Sequence, residues 1–421
     1  MCLSRVVQRL LTGFSLMLML SACHHDKDKP EVHDNTLART VLVYMVAENS
    51  LSPYATYSSS NSPSDIDEML AAKTSLTKND HLVIYLDNVG EPRIYDITNK
   101  TKATKFTELK PAYTFPKEVN SASPEVLAEV LKYVEKHYPA DVYGLIGWSH
   151  GSAWVSSTYE GDKKAPRRSF GLDNGLNNYE NIGHQMNIDE MAAALATFPK
   201  FEFILFDACF MRSVEVVYEL RHCAKYLIGS PAEIPAPGAP YHEIVPVMFD
   251  DTKTTPQIAQ SYYEYYDNSY YGSLMSVVDC AELESFAAVT HRMIEPHRND
   301  LLNLSYGDRL NYFSYDWVGN KSTYPDFYDM QGLMQAVLTE EEYSEWKAAF
   351  DKMCVAAYHS SYWYSAYPVS KGGNYWTVNE EQYCGLSMFV PLDKYKYGAV
   401  NFSADYQNTS WAQDVWNEKE L

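Results

Sequence analysis

The sequence predicts an α/β fold, a mostly parallel sheet with helices on both faces. Two observations carry that prediction. Five short apolar runs rich in Val, Ile, Leu and Phe recur between residues 40 and 232, without the polar alternation of a half-exposed strand. Runs of that kind belong to strands buried on both faces. Amphipathic helical segments separate most of them, and strand–helix–strand alternation builds parallel sheets.

The first run, TVLVYMVAE (40–48), reads as a strand. SPSDIDEMLAAKTSL (62–76) follows with apolar residues at helical spacing and acids in its first turn, so it reads as a helix. HLVIYLDN (81–88) is the second strand. SPEVLAEVLKYVEKHY (123–138) is an amphipathic helix, with Ser123 as cap, Pro124 in the first turn and Val126, Leu127, Val130, Leu131 and Val134 as one stripe. DVYGLIGWS (141–149) is the third strand, NIDEMAAALATF (187–198) a helix and FEFILFDAC (201–209) the fourth strand. SVEVVYELRHCA (213–224) reads as a helix on which Glu215 and Glu219 face solvent or neighbouring loops, and YLIGSPA (226–232) is the fifth strand.

Past residue 233 the texture changes. A Pro/Gly loop, IPAPGAPY, leads into a Tyr-rich helix, and SLMSVVD (273–279) and CGLSMFVPL (384–392) look like strands between long helices. The organisation expected is a core over 39–240 and an extension over 241–421 that packs on the core and adds strands to it. No internal repeat or low-complexity run is apparent. The abundance of Tyr fits core filling better than carbohydrate stacking.

The net charge of −21 argues against nucleic-acid binding, which needs a positive field. Arg5 and Arg9 precede an apolar run, Leu10 to Leu20, that is short for a membrane span. It ends in Leu20-Ser21-Ala22-Cys23, which resembles a bacterial lipobox. The resemblance implies a signal peptide over 1–22, lipid on Cys23, a polar tether over 23–38 and an exported protein anchored to a bacterial, by expectation outer, membrane. Beyond Cys2 and Cys23 five cysteines remain, and no C-x-x-C pair occurs, which argues against zinc.

In parallel α/β sheets ligands bind beyond the carboxyl ends of the strands. The first strand delivers Glu48 and Asn49, the third Ser149, His150 and Gly151, and the fourth Asp207, Ala208 and Cys209. An imidazole and a thiol thus leave adjacent strands. A helix following Cys209 and a neighbouring imidazolium would both favour the thiolate, while Arg212 on the first turn of that helix would oppose its dipole or favour the thiolate as well. Gly147-Trp148-Ser149-His150-Gly151 also spells G-x-S-x-G, the serine-hydrolase elbow. An elbow needs a helix at once, whereas Ser149 is followed by a stretch with Gly, Pro and the bases Lys163, Lys164, Arg167 and Arg168. That reads as a loop and makes Ser149 a turn residue.

Strand–Ser-His-Gly followed some sixty residues later by strand–Asp-Ala-Cys resembles the clostripain family of cysteine peptidases, in the clan of caspases, legumains and gingipains. TVLVYMVAENSL, GLIGWSHGSAW, FILFDACFMRSVEVVYEL and GLSMFVP carry the likeness. It implies a caspase-like three-layer αβα sandwich and an endopeptidase cutting after Arg or Lys in proteins or peptides. Cys209 would be the nucleophile, His150 the proton donor, and the N–H groups of Gly151 and Cys209 the oxyanion hole. Asp207 would recognise the basic side chain, with Glu48 and Asn49 lining the pocket. The likeness also implies self-cleavage in the basic loop, 159–170, at Lys163, Lys164, Arg167 or Arg168. No cofactor is required. Calcium stays open, since acidic DIDE (65–68) and FDDT (249–252) could contribute although no EF-hand loop is present. Two alternatives stand beside this reading. One is a serine esterase using Ser149. The other is a non-catalytic surface protein that binds glycan or host protein through its aromatic C-terminal half.

Overall fold

The computed structural model describes residues 37–52, 60–155, 169–175, 184–312, 325–369, 373–395 and 402–417. In chain order the strands are β1 (Arg39–Val46), β2 (His81–Asp87), β3 (Arg93–Ile97), β4 (Tyr113–Thr114), β5 (Val142–Trp148), β6 (Phe170–Asp173), β7 (His184–Met186), β8 (Phe201–Asp207), β9 (Ala224–Gly229), β10 (Leu274–Asp279), β11 (Tyr328–Asp329), β12 (Cys354–His359), β13 (Tyr362–Val369), β14 (Gly373–Thr377) and β15 (Ser387–Met388). Nine of them form one sheet in the order β12-β10-β9-β8-β5-β1-β2-β3-β4. The five central strands, from β9 to β2, run parallel, and both edges are antiparallel.

The central strands have no polar alternation because helices cover both faces. On one face lie α1 (Asn61–Ala72), α5 (Tyr241–Met248) and α6 (Thr255–Tyr266), packed on Val41, Val43, Met45, Ile146, Phe203 and Leu205. The other face carries α2 (Pro124–His137), α3 (Ile188–Leu195) and α4 (Val214–Glu219), packed on Leu42, Tyr44, Val46, Leu145, Ile204 and Phe206. The same layer takes in α7 (Leu283–Leu302), α8 (Met330–Val337), α9 (Glu340–Met353), α10 (Phe402–Tyr406) and α11 (Ser410–Val415). The result is a three-layer αβα sandwich. Helix α2 starts as its sequence predicts, with the Ser123 hydroxyl accepting from the Val126 N–H, a cap that contributes about 1 kcal/mol.

Two expected elements are shorter than the pattern predicts. The helix of 213–224 covers only Val214–Glu219, because Cys223 N–H bonds back to Leu220 and Cys223 carbonyl takes the Phe201 N–H at the start of β8. The strand of 384–392 is reduced to Ser387–Met388. Its flanking backbone groups are taken elsewhere, with Ser387 N–H on Arg212 carbonyl, Leu386 carbonyl on Met330 N–H and Phe389 N–H on the Glu215 carboxylate. Glu215 therefore does not face solvent. It is buried, and burial raises its carboxyl to about 7.

That shift has a definite sign. The folded chain holds a proton on Glu215 that the unfolded chain loses above its ordinary 4.5. The associated stability is full below about 4.5 and is lost as pH rises through about 7. Glu215→Gln keeps an acceptor for Phe389 and removes the titration. Its Tm relative to the parent is expected to rise between pH 5 and pH 8.5, read by thermal melts, and a pH-independent difference would refute this account.

Candidate active site

The β5–β8 ladder aligns Trp148 with Asp207. His150 and Cys209 each lie two residues beyond those paired positions, so the two side chains leave neighbouring strands at the same level. A bond from the Ser149 N–H to the Asp207 carbonyl (3.3 Å) carries the pairing one step past the strands. Strand alternation then sorts the exits by face. Trp148 shares parity with Ile146, and Asp207 with Phe203 and Leu205, on the α1/α5/α6 face, whereas Cys209, past the end of β8, packs against the apolar cluster of the other face.

The His150 segment is fixed by its neighbours. Ser149, buried, donates its hydroxyl to the Val46 carbonyl (2.7 Å) and accepts from the Leu172 N–H (3.1 Å). No helix follows it within 150–155. The serine is thus a backbone clamp, as expected of a turn residue, and has none of the surroundings of an elbow nucleophile. His150 Nε2 meets the Ser50 hydroxyl at 2.9 Å, and its carbonyl accepts from the Gly171 N–H (3.0 Å). Sequence reasoning missed Ser50, since nothing in the local pattern brings residue 50 to residue 150. A Cβ on Gly151 would come within 2.6 Å of the Cys209 carbonyl oxygen, so glycine lets the imidazole loop lie against the Cys209 peptide. Ala153 and Phe210, shortly after the two key residues, sit at φ 59° and 63°, a left-handed conformation that non-glycine residues adopt at a cost of about 1–3 kcal/mol.

Cys209 is half-buried. Contrary to expectation it does not sit at a helix N-terminus. Four residues intervene before α4, whose cap is Ser213. Arg212 is also not on a helix turn. It is buried, with Nε on the Ser276 hydroxyl and Nη1 on the Leu227 carbonyl, and burial lowers its guanidinium to about 10. None of the five described cysteines is in a disulfide. Burial pushes Cys223 to about 11, Cys280 to about 12, Cys354 to about 11 and Cys384 well above the ordinary range.

Asp207 is fully enclosed rather than capping a helix. Its Oδ2 accepts from the Ala239 N–H (3.0 Å) and the Tyr241 hydroxyl (3.0 Å), while Oδ1 is buried without a donor. Burial raises its carboxyl to about 6, and those two donors hold it from going higher. A second carboxylate, Asp65, stands beside it. Asp65 Oδ2 accepts from Trp148 Nε1 (2.7 Å), and a Cβ on Gly238 (φ +81°) would meet Asp207 Oδ2 at 3.1 Å and Asp65 Oδ2 at 3.4 Å. Burial and the Asp207 charge raise Asp65 well above the usual carboxylate range. Asp65 lies on α1 inside the DIDE segment, where the sequence alone does not reveal that it turns inward.

Glu48 and Asn49 do not line that pocket. Glu48 continues the parity of Tyr44 and Val46 and exits on the opposite sheet face, beside Asp87, Glu118 and Asp173. Asn49 spends its side chain on the loop, with Nδ2 on the Val46 and Leu172 carbonyls and Oδ1 on the Leu51 N–H. The other acids of DIDE and FDDT are also engaged: Asp67 with Lys105, Glu68 with His242, Asp250 with Thr252 and Asp251 with Arg39. Lys163, Lys164, Arg167, Arg168 and Cys23 lie outside the described residues.

A thiol and an imidazole at adjacent strand exits of this sandwich define a cysteine peptidase of the caspase-like type. The chain belongs to the clostripain family, which matches residues 43–421. It is similar to an inactive zymogen C11 protease from Parabacteroides distasonis (29% identity, 90% of this chain and 98% of that one, TM-score 0.72). A secreted C11 cysteine protease from Bacteroides thetaiotaomicron in complex with an irreversible peptide inhibitor is equally similar (28% identity, 90% and 99% covered, TM-score 0.72). Clostripain from Hathewaya histolytica is 26% identical over 170 residues, 38% of this chain, and the match spans less than a third of that relative's length (31%).

The thiols differ in reactivity for a physical reason. Iodoacetamide at neutral pH is expected to alkylate Cys209 first, then the half-buried Cys354, slowed by its raised pKa, with Cys223, Cys280 and Cys384 modified only on unfolding, as peptide mass mapping would show. Prior modification of any of the four would contradict the assignment.

Proposed function

We propose that the protein is a cysteine endopeptidase that cleaves protein or peptide chains after Arg or Lys. The observation that carries this reading is the buried Asp65–Asp207 pair at the carboxyl end of β8, two residues before Cys209. An arginine guanidinium entering beside them would meet two carboxylate acceptors, and its charge would draw both carboxyls to the ionised form. In the reaction the Cys209 sulfur attacks the scissile carbonyl as its proton passes to His150, and a proton returns to the sulfur from His150 at the end of the cycle. The N–H groups of Gly151 and Cys209 hold the oxyanion, and the C–N bond breaks as His150 gives a proton to the leaving amine. Water then adds to the thioester, His150 takes its proton, and the C–S bond breaks to release the acid and restore the thiol. No step needs a cofactor, so a role for calcium would lie outside the chemistry.

Two finer readings belong with this one. Lys163, Lys164, Arg167 and Arg168 lie between the His150 and Cys209 strands and match the enzyme's own specificity, which supports self-cleavage there. The lipobox supports lipid on Cys23 and attachment to the outer membrane. No described helix is long and apolar enough to cross a bilayer. The serine-esterase alternative has no support from Ser149, whose hydroxyl is held by backbone.

A library of peptides varied at P1 tests the proposal. Wild type is expected to turn over Arg and Lys substrates, Cys209→Ala none, and Asp207→Asn to lose about 10²-fold or more in kcat/KM for basic P1 alone, as about 3 kcal/mol for a buried charge pair implies. For wild type, KM for those substrates should rise as pH falls through about 6, where the free Asp207 takes up its proton. Undiminished basic preference in Asp207→Asn would remove the pocket assignment. On a gel, purified wild type should run as two chains and Cys209→Ala as one. Identical single chains would refute self-cleavage. Fractionation should find Cys23→Ala released from the membrane, and its retention there would refute the lipid anchor.

A further inference from the structure

On the sheet face opposite Asp65 and Asp207, four carboxylates converge at the ends of β1 and β2. Glu48 follows β1, Asp87 ends β2, Asp173 ends β6 and Glu118 comes from the loop before α2. One oxygen from each lies within 4.8 Å of the other three. Asp87 is fully buried, and neither of its oxygens has a donor in hydrogen-bond geometry. The charges bearing on it are carboxylates (Asp173, Glu118 and Glu48), and the nearby Ser121 hydroxyl offsets them only in part. Asp173, also fully buried, is aimed by the Ser121 N–H on Oδ2 (2.7 Å) and the Gly175 N–H on Oδ1 (2.8 Å).

We propose that Glu48, Asp87, Glu118 and Asp173 form a structural site for a calcium-class divalent cation that ties β6 to the ends of β1 and β2. An unpartnered buried carboxylate among three others is a costly arrangement for a fold to keep without a positive charge. Four hard oxygens with no sulfur or imidazole suit calcium or magnesium, not zinc. Size favours calcium. Its larger radius takes six to eight oxygens at about 2.3–2.6 Å in flexible geometry, which a set of four carboxylates supplies, whereas magnesium at about 2.1 Å demands near-ideal octahedral geometry and prefers to keep its water. The bound ion would also steady the catalytic loop, because Asn174 N–H bonds to the Glu48 carbonyl (3.0 Å) and Gly171 N–H to the His150 carbonyl.

The site can be read without any activity, in full-length Cys209→Ala protein. Such a test leaves the peptidase reading untouched whichever way it falls. After EGTA treatment, calcium at a hundredfold excess over its dissociation constant is expected to raise Tm by about 3–5 °C, and magnesium by less. Terbium offers a second readout. The stacked rings of Tyr44 and Tyr85 (4.7 Å) lie beside the site, with the Tyr85 hydroxyl on Ser121 (2.5 Å), so tyrosine excitation should sensitise bound terbium and calcium should quench the signal by displacement. Asp87→Asn is expected to melt no lower than its parent in EGTA, since it relieves repulsion, yet to lose the calcium shift and the terbium signal. Glu118→Gln is expected to weaken both and serves if Asp87→Asn does not fold. Absence of a calcium shift and of sensitised terbium in the parent, or retention of both in the two variants, overturns the site.

Discussion

The candidate active site depends on the parallel register of β5 and β8. Two parallel strands with matched ends deliver the residues past those ends to the same level. Here the matched pair is Trp148 and Asp207, and the delivered pair is His150 and Cys209. Neither residue needs the other to be placed. Each is set by ladder hydrogen bonds, by a glycine that clears the adjacent peptide, and by left-handed corners at Ala153 and Phe210 that turn the chain away. The sheet is the positioning device, and the loops only finish its work.

Period-two alternation then separates two chemistries that lie close along the chain. Asp207 and Glu48 both leave the carboxyl end of the sheet, yet they leave on opposite faces. One face gathers Asp65 and Asp207. The other gathers Glu48 with Asp87, Glu118 and Asp173. Each group holds acids in a dry setting, where charge is tolerated only with a cation or a proton nearby.

The central strands were legible because a strand buried on both faces leaves an unbroken apolar run, and the thiol and imidazole were legible because parallel sheets present their chemistry at strand ends. What lay beyond reading was set by contacts between distant segments. Asp65 looks like a solvated acid on a helix until Trp148 is placed against it. Glu215 looks exposed by spacing, but the C-terminal segment covers it and takes its carboxylate at Phe389. Glu48 and Asn49 are adjacent in sequence, and only their side-chain directions show that neither reaches Asp207. The helix expected after Cys209 begins later because the chain first turns to seat Arg212 between β9 and β10.

Residues 156–168 join what becomes the middle of the sheet. A break anywhere in that stretch would leave β1 to β5 on one piece and β8, β9, β10 and β12 on the other, with their boundary in the core along the β5–β8 ladder. The pieces would be interlocked halves rather than a body and a shed tail. The acidic quartet straddles the same boundary, with Glu48, Asp87 and Glu118 before it and Asp173 after it. An ion shared by those four would act as a non-covalent rivet, standing in for the continuity that such a break would remove.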